Sequence, residues 1–323
     1  MRICLSHRSA LDCWQSLRKG GDSYIDFLLT ECERRKTREH PSISKTEIEK
    51  LSDKLGFRLP VCVETPSGYR RHSTPYCRFS QRRKFLENDS VFEIDDKVSL
   101  PSPEAVFLQM SELLDATDLA KLGMELSASY VLATPTSEII RVAPLLNIEK
   151  AIALAQQGTT VATRKALRVL PYVYQGCESP AEVEMALKLL LPTRWGGLGL
   201  QGASINPVIP LSEASHSITA KKTCRPDMLF AEIKVDVEYD GAEWHSTADQ
   251  LINDMKRWHA LRREGFEVIN VNAKTLRNPE LMTQLAREIK RAQGKDLRIR
   301  TENFEEKQRE LFRKLANHKQ AAC

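Results

Sequence analysis

Residues 225 to 245 read Arg-Pro-Asp-Met-Leu-Phe-Ala-Glu-Ile-Lys-Val-Asp-Val-Glu-Tyr-Asp-Gly-Ala-Glu-Trp-His. Two short runs suited to strands, Asp227 to Phe230 and Val235 to Asp240, flank a polar turn near Glu232. Successive side chains of a strand point to opposite faces, so Glu238 and Asp240 share one face and Val235, Val237 and Tyr239 occupy the other. Asp227 and Glu238 are eleven residues apart, enough for two strands and a turn that return both carboxylates to the same end of a hairpin. Carboxylates held together repel and raise one another's pKa, and a divalent cation relieves the repulsion. Hard oxygen donors suit Mg²⁺, with Mn²⁺ as a substitute. Such an ion polarises a phosphoryl oxygen and lowers the pKa of a bound water, and His245, just past the second strand, stands close enough to handle a proton. The pattern points to metal-dependent phosphodiester hydrolysis, with Asp227, Glu238 and Asp240 as candidate metal ligands.

Four pieces in order carry a resemblance to a known family: Ser179-Pro180-Ala181-Glu182, Pro226-Asp227, Glu238-Tyr239-Asp240-Gly241 with Trp244-His245, and a helix bearing Asp254, Arg257, Leu261 and Gly265. The stretch from about residue 178 to 272 resembles the Vsr-like (very-short-patch-repair-like) endonuclease domains of the PD-(D/E)XK nuclease superfamily. That resemblance implies a restriction-endonuclease-like α/β core of helix, three-stranded meander, helix and strand (αβββαβ). It also implies Asp227 as the central metal ligand, Glu238 or Asp240 beside it, His245 as general base or water positioner, and Glu182 reaching in from the first helix. Asp254 and Arg257 match the family's second helix, where contact with nucleic acid and a pair bracing helix against sheet are alternative roles. The superfamily's usual lysine, two residues after the acid of the third strand, is here Asp240, as Vsr-like enzymes also lack it. A literal Glu-x-Lys at Glu232-Ile233-Lys234 falls at the expected turn and is read as a decoy. Each motif also has a plainer reading: Asp240-Gly241 as a strand-ending turn, His245 as a satisfied buried histidine, Trp244 as a core aromatic.

The 323 residues are long enough for two domains with their own cores, and 41% hydrophobic with 28% charged residues describe an ordinary soluble chain. The mean hydropathy is −0.39, no run approaches a membrane span, and the start lacks a secretory apolar core, so a cytoplasmic location is expected. Eight cysteines show no Cys-x-x-Cys spacing and no nearby histidine pairs, which argues for reduced, mostly buried thiols rather than zinc or disulfides. The net charge of +5 is unevenly placed. Arg70, Arg71, Arg78, Arg82, Arg83 and Lys84 lie without an acid among Tyr69, Tyr76 and Phe79, a composition suited to nucleic-acid backbone contact with some stacking. The competing reading is an edge strand whose arginines keep it from pairing with other chains.

In the amino-terminal half a capping box at Ser44-Lys45-Thr46-Glu47 starts a helix running to Leu55, and Val61 to Val63 and Ser90 to Ile94 read as strands. Helices are expected at 103–114, 119–128, 148–156 and 162–170. This half resembles, more weakly, the AbiEi-like region that precedes Vsr-like domains, which implies a mixed α/β module for DNA or partner binding. The expected division is residues 1–170, then 171–295 as the nuclease-like domain, then 296–323 as a charged helical tail docking on the body or on a second chain. The expected function is a Mg²⁺-dependent DNA endonuclease, in a defence or toxin–antitoxin setting. The alternatives are a DNA-binding regulator that keeps the nuclease fold without its chemistry, and a nuclease acting on RNA.

Overall fold

The structure, a computed structural model, describes residues 3–20, 44–66, 71–86, 91–95, 97–133, 138–241 and 248–316. It divides into two compact units between Val173 and Tyr174, and both mix helices with strands.

The first unit runs β1 (Ile3–Leu5), α1 (His7–Lys19), α2 (Lys45–Leu55), β2 (Val61–Thr65), β3 (Cys77–Gln81), β4 (Val91–Asp95), β5 (Val98–Pro101), α3 (Pro103–Met110), α4 (Ala116–Leu126), β6 (Tyr130–Leu132), β7 (Ile139–Arg141), α5 (Ile148–Gln156) and α6 (Val161–Val169). Its five-stranded sheet has the order β3-β2-β1-β5-β4, with β1 parallel to β5 and antiparallel to β2. The wholly apolar β1 therefore fits the centre, where all three of its residues are buried. Trp14 of α1 is the largest buried side chain against this sheet: its indole Nε1 donates to Pro101 O at 2.9 Å and its ring meets Phe92 edge-on. Helix α2 starts at the expected capping box, with Ser44 and Glu47 satisfying each other's backbone N–H. Helix α3 starts at its Ser102 cap and is buried along its whole length.

The second unit runs α7 (Pro180–Leu190), β8 (Ser204–Ile205), β9 (Ile209–Pro210), α8 (Glu213–Thr219), β10 (Thr223–Cys224), β11 (Met228–Phe230), β12 (Val235–Asp240), α9 (Ala248–Arg263), β13 (Glu267–Asn272), α10 (Ala273–Arg277), α11 (Pro279–Ala292) and α12 (Phe304–Ala316). Its four-stranded sheet has the order β13-β12-β11-β8. Strand β11 is antiparallel to both neighbours, whereas β12 and β13 are parallel and joined through α9, as a parallel pair requires. The first two antiparallel strands are not a tight meander. An excursion of β9, α8 and β10 intervenes, and β9 and β10 form a separate two-stranded ladder.

Helix α7 is buried all round from Glu182 to Leu190. Its one internal cation, Lys188, is paired with Glu184, donates to Leu276 O at 2.7 Å and lies over the Phe312 ring. Phe312, Leu311 and Leu315 of α12 are buried in this same unit, so the charged carboxy-terminal helix docks on its own domain. The approach is close: a Cβ on Gly196, whose φ is +86°, would sit 2.3 Å from Lys307 O.

Candidate active site

The site is built on the β11–β12 hairpin. Ala231 to Ile233 form one turn of 3-10 helix, Lys234 closes it in the left-handed region at φ 53°, and the register pairs Met228 with Val237, Leu229 with Asp236 and Phe230 with Val235. Residues directly opposite point to the same face. Met228, Phe230, Val235 and Val237 thus form a buried apolar face, while Leu229, Asp236 and Glu238 share the other, which Asp227 borders from one residue before β11. Glu232 and Lys234 are exposed at the turn, where the Glu-x-Lys decoy was expected.

Three carboxylates gather on that second face, and one of them was not singled out from the sequence. Asp236 is 0% exposed and Glu238 is 5% exposed, while Asp227 is half-buried. The Tyr239 N–H donates to Asp227 Oδ2 at 2.8 Å, holding that carboxylate in place. From α9, Arg257 pairs with Glu238 Oε2. Both oxygens of Asp236, Oε1 of Glu238 and Nε of Arg257 are buried without a hydrogen-bond partner among the described residues. Burial pushes the Asp236 carboxyl up to about 7, against the pull of Arg257. Burial also raises Asp227, with the Tyr239 N–H and Arg257 opposing and Asp236 and Glu178 adding to the rise.

No protein-family model, curated protein or solved structure matches the chain. The chemistry of the site has to be read from its own geometry.

Glu182 stands near Asp227, whose charge, after burial, is the next largest cause of its raised pKa. Its oxygens are committed to structure. Ser179 caps α7 by accepting from Glu182 N, and Glu182 in turn accepts from Ser179 Oγ at 2.8 Å, Glu178 N at 2.7 Å and Asn206 Nδ2 at 2.6 Å. Glu182 therefore serves as the acid of a helix cap and, through Asn206, as a brace beside Asp227: Asn206 N also donates to Asp227 O at 3.1 Å. Replacing Ser179 by Ala removes one cap bond and loosens Glu182. A loss of about 1 kcal/mol is expected, read as a lowered midpoint in urea unfolding.

Asp240, placed on the same strand face as Glu238, is exposed at the end of β12 opposite Asn272. His245 and Trp244 lie outside the described residues, as do the Asp254 side chain and Arg70. Among the described residues no group of three His, Cys, Asp or Glu side chains is drawn together closely enough to hold a metal ion. The donor chemistry nevertheless fits one, because the orphaned oxygens of Asp236 and Glu238 are hard, anionic and directed to the face that Asp227 borders. The alternation that pairs Glu238 with Asp240 also puts Asp236 on their face, so a signal for it was present. Nothing local marks Asn206, which a loop brings in from before the hairpin.

The basic stretch of the first unit is partly neutralised by tertiary contacts. It lies in and around β3, an edge strand of the sheet. Arg82 turns inward and donates to Glu64 Oε2 at 2.6 Å, and Arg83 donates to Glu112 Oε1 at 2.9 Å. Arg71 lies over the Phe79 ring at 5.1 Å, while Arg78 and Lys84 are exposed. The acids come from β2 and from just after α3, so a segment without an acid of its own still meets two. Arg82 is thereby withdrawn from a solvent-facing patch. The described cysteines are all free, and all of them but Cys62 are buried. No helix among the described residues is long and apolar enough to cross a membrane.

Proposed function

We propose that the second unit is a divalent-metal-dependent endonuclease core of the PD-(D/E)XK kind, similar to Vsr-like domains, and that it hydrolyses DNA phosphodiesters. One observation carries the reading: Asp236 and Glu238 share the face of an antiparallel hairpin that Asp227 borders, and three oxygens of Asp236 and Glu238 are buried and unpartnered among the described residues. The surrounding order supports it. A helix, three antiparallel strands, a crossover helix and a parallel strand follow one another in the sequence expected of that core, with β9, α8 and β10 as an insertion.

In this reading Asp227, Asp236 and Glu238 would hold Mg²⁺ or Mn²⁺, and the ion would supply the charge that polarises a phosphoryl oxygen and lowers the pKa of a water. Tyr239 fixes Asp227 through its N–H, and Glu182 with Asn206 braces the strand on which Asp227 stands. Asp240, at the mouth of the hairpin, is the acid nearest to arriving substrate along β12, and His245 takes or positions a proton. The first unit, with exposed Arg78 and Lys84, contributes binding to DNA or to a protein partner.

A second reading is favoured by the pairing of Glu238 with Arg257, which already supplies that acid with a positive charge. In it the fold binds DNA as a regulator and cleaves nothing. Incubating the full chain with supercoiled plasmid and short duplexes in Mg²⁺ or Mn²⁺, beside an EDTA control, separates the two. Nicking that EDTA abolishes is expected. Salt-sensitive DNA binding with no nicking in either metal would select the regulator, and cleavage of RNA but not DNA would change the substrate class.

A further inference from the structure

One guanidinium faces three carboxylates in this site and bonds to a single one of them. Arg257 pairs with Glu238 Oε2, its own Nε has no partner among the described residues, and both oxygens of the fully buried Asp236 are left over. The one guanidinium leaves both Asp236 oxygens and Glu238 Oε1 without a donor, and a divalent ion can coordinate such leftover oxygens directly. The arginine also has a way out. Its side chain is 34% exposed, against 6% for that of Glu238, so the acid is fixed inside while the cation reaches it from the surface. Released, a guanidinium is the side chain best shaped to grip a phosphate through two parallel N–H bonds.

We propose that Arg257 is the resident counter-cation of the acidic face and that it exchanges with the divalent ion. Metal entry frees Glu238 and turns Arg257 outward to the phosphate of the nucleic acid. The exchange rests on the metal-nuclease reading above and adds to it a coupling between metal loading and substrate binding. Without metal the site stays closed by its own ion pair. With metal the same arginine becomes a substrate contact, so cation and DNA each favour the binding of the other.

Mn²⁺ binding to the full chain without nucleic acid, followed by titration calorimetry and by the paramagnetic signal of free Mn²⁺, tests this. Arg257→Gln keeps length and hydrogen bonding but removes the competing charge, and is expected to bind Mn²⁺ about tenfold tighter than wild type, a usual size for coupling between competing ligands. Glu238→Gln is expected to lose that binding. With Ca²⁺ in place of Mn²⁺, Arg257→Gln is expected to hold a short duplex more weakly than wild type does. If wild type binds Mn²⁺ and Arg257→Gln binds it no better, the exchange is wrong while the nuclease reading stands. If neither binds Mn²⁺, both fall. Circular dichroism confirms folding of each variant, and should Arg257→Gln fail to fold, Arg257→Met decides: it keeps the length and the apolar stem without the charge and is expected to bind Mn²⁺ more tightly than wild type. Equal or weaker binding by Arg257→Met would then overturn the exchange.

Discussion

Asp227→Asn is expected to cut the metal-dependent nicking rate at least about 100-fold while leaving the fold intact. The substitution keeps the size of the side chain and one carbonyl oxygen, so the Tyr239 N–H still finds an acceptor near the end of β12. What it removes is the negative charge at the half-buried edge of the site. A metal centre supplies several kcal/mol of transition-state stabilisation, and each 1.36 kcal/mol is tenfold in rate, so losing a ligand that contributes about 3 kcal/mol gives that factor. Initial rates of plasmid nicking in Mn²⁺ measure it, with thermal melting of the metal-free variant as the folding control. An unchanged rate would move the site away from this hairpin. A lost rate accompanied by a collapsed melting transition would instead mark Asp227 as structural, through its bond to Tyr239.

The second large effect concerns stability. In the metal-free protein Asp236→Asn is expected to stabilise the second unit at pH 8 by about 2 kcal/mol, which corresponds to roughly 4 to 8 °C in melting temperature for a domain of this size. The carboxyl is pushed up to about 7 in the folded state, whereas an unfolded chain holds an aspartate near its ordinary value of about 4. Between about pH 4 and 7 the folded protein therefore carries a proton that the unfolded chain has lost. Stability falls as pH rises through that window and levels off above it. Asp227, also raised by burial, acts in the same direction. Asn cannot ionise, so the variant lacks the Asp236 share of this slope, and its advantage over wild type is largest at pH 8 and smallest near pH 5. Melting curves in EDTA from pH 5 to pH 8 check this. Parallel curves for the two proteins, or a variant less stable than wild type at pH 8, would show that Arg257 and the surrounding dipoles hold Asp236 ionised at little cost.

These two residues differ in how legible they were. Asp227 follows from spacing alone, because eleven residues, a polar turn and an antiparallel return bring it opposite Glu238. Asp236 obeys the same alternation. A carboxylate between two valines in a buried strand goes against the usual cost of burying charge, which is where a local rule and the tertiary structure part.

Periodicity and caps determined the local structure. Helix α5 spans the residues its apolar spacing indicated, and α2 starts at its capping box. Helix α7 starts at Ser179 and Pro180, and the hairpin turns where Glu232 and Lys234 are solvated. All of these depend on side chains a few residues apart, whose faces are set by the repeat of the helix or the strand. Tertiary structure alone decided the partners. Arg257 reaches Glu238 from 19 positions along the chain, Glu64 neutralises Arg82, and Asn206 binds Glu182 to the strand of Asp227. Those contacts arise because packing removes water from groups that are far apart in sequence, and a buried charge takes whatever donor the topology brings within reach.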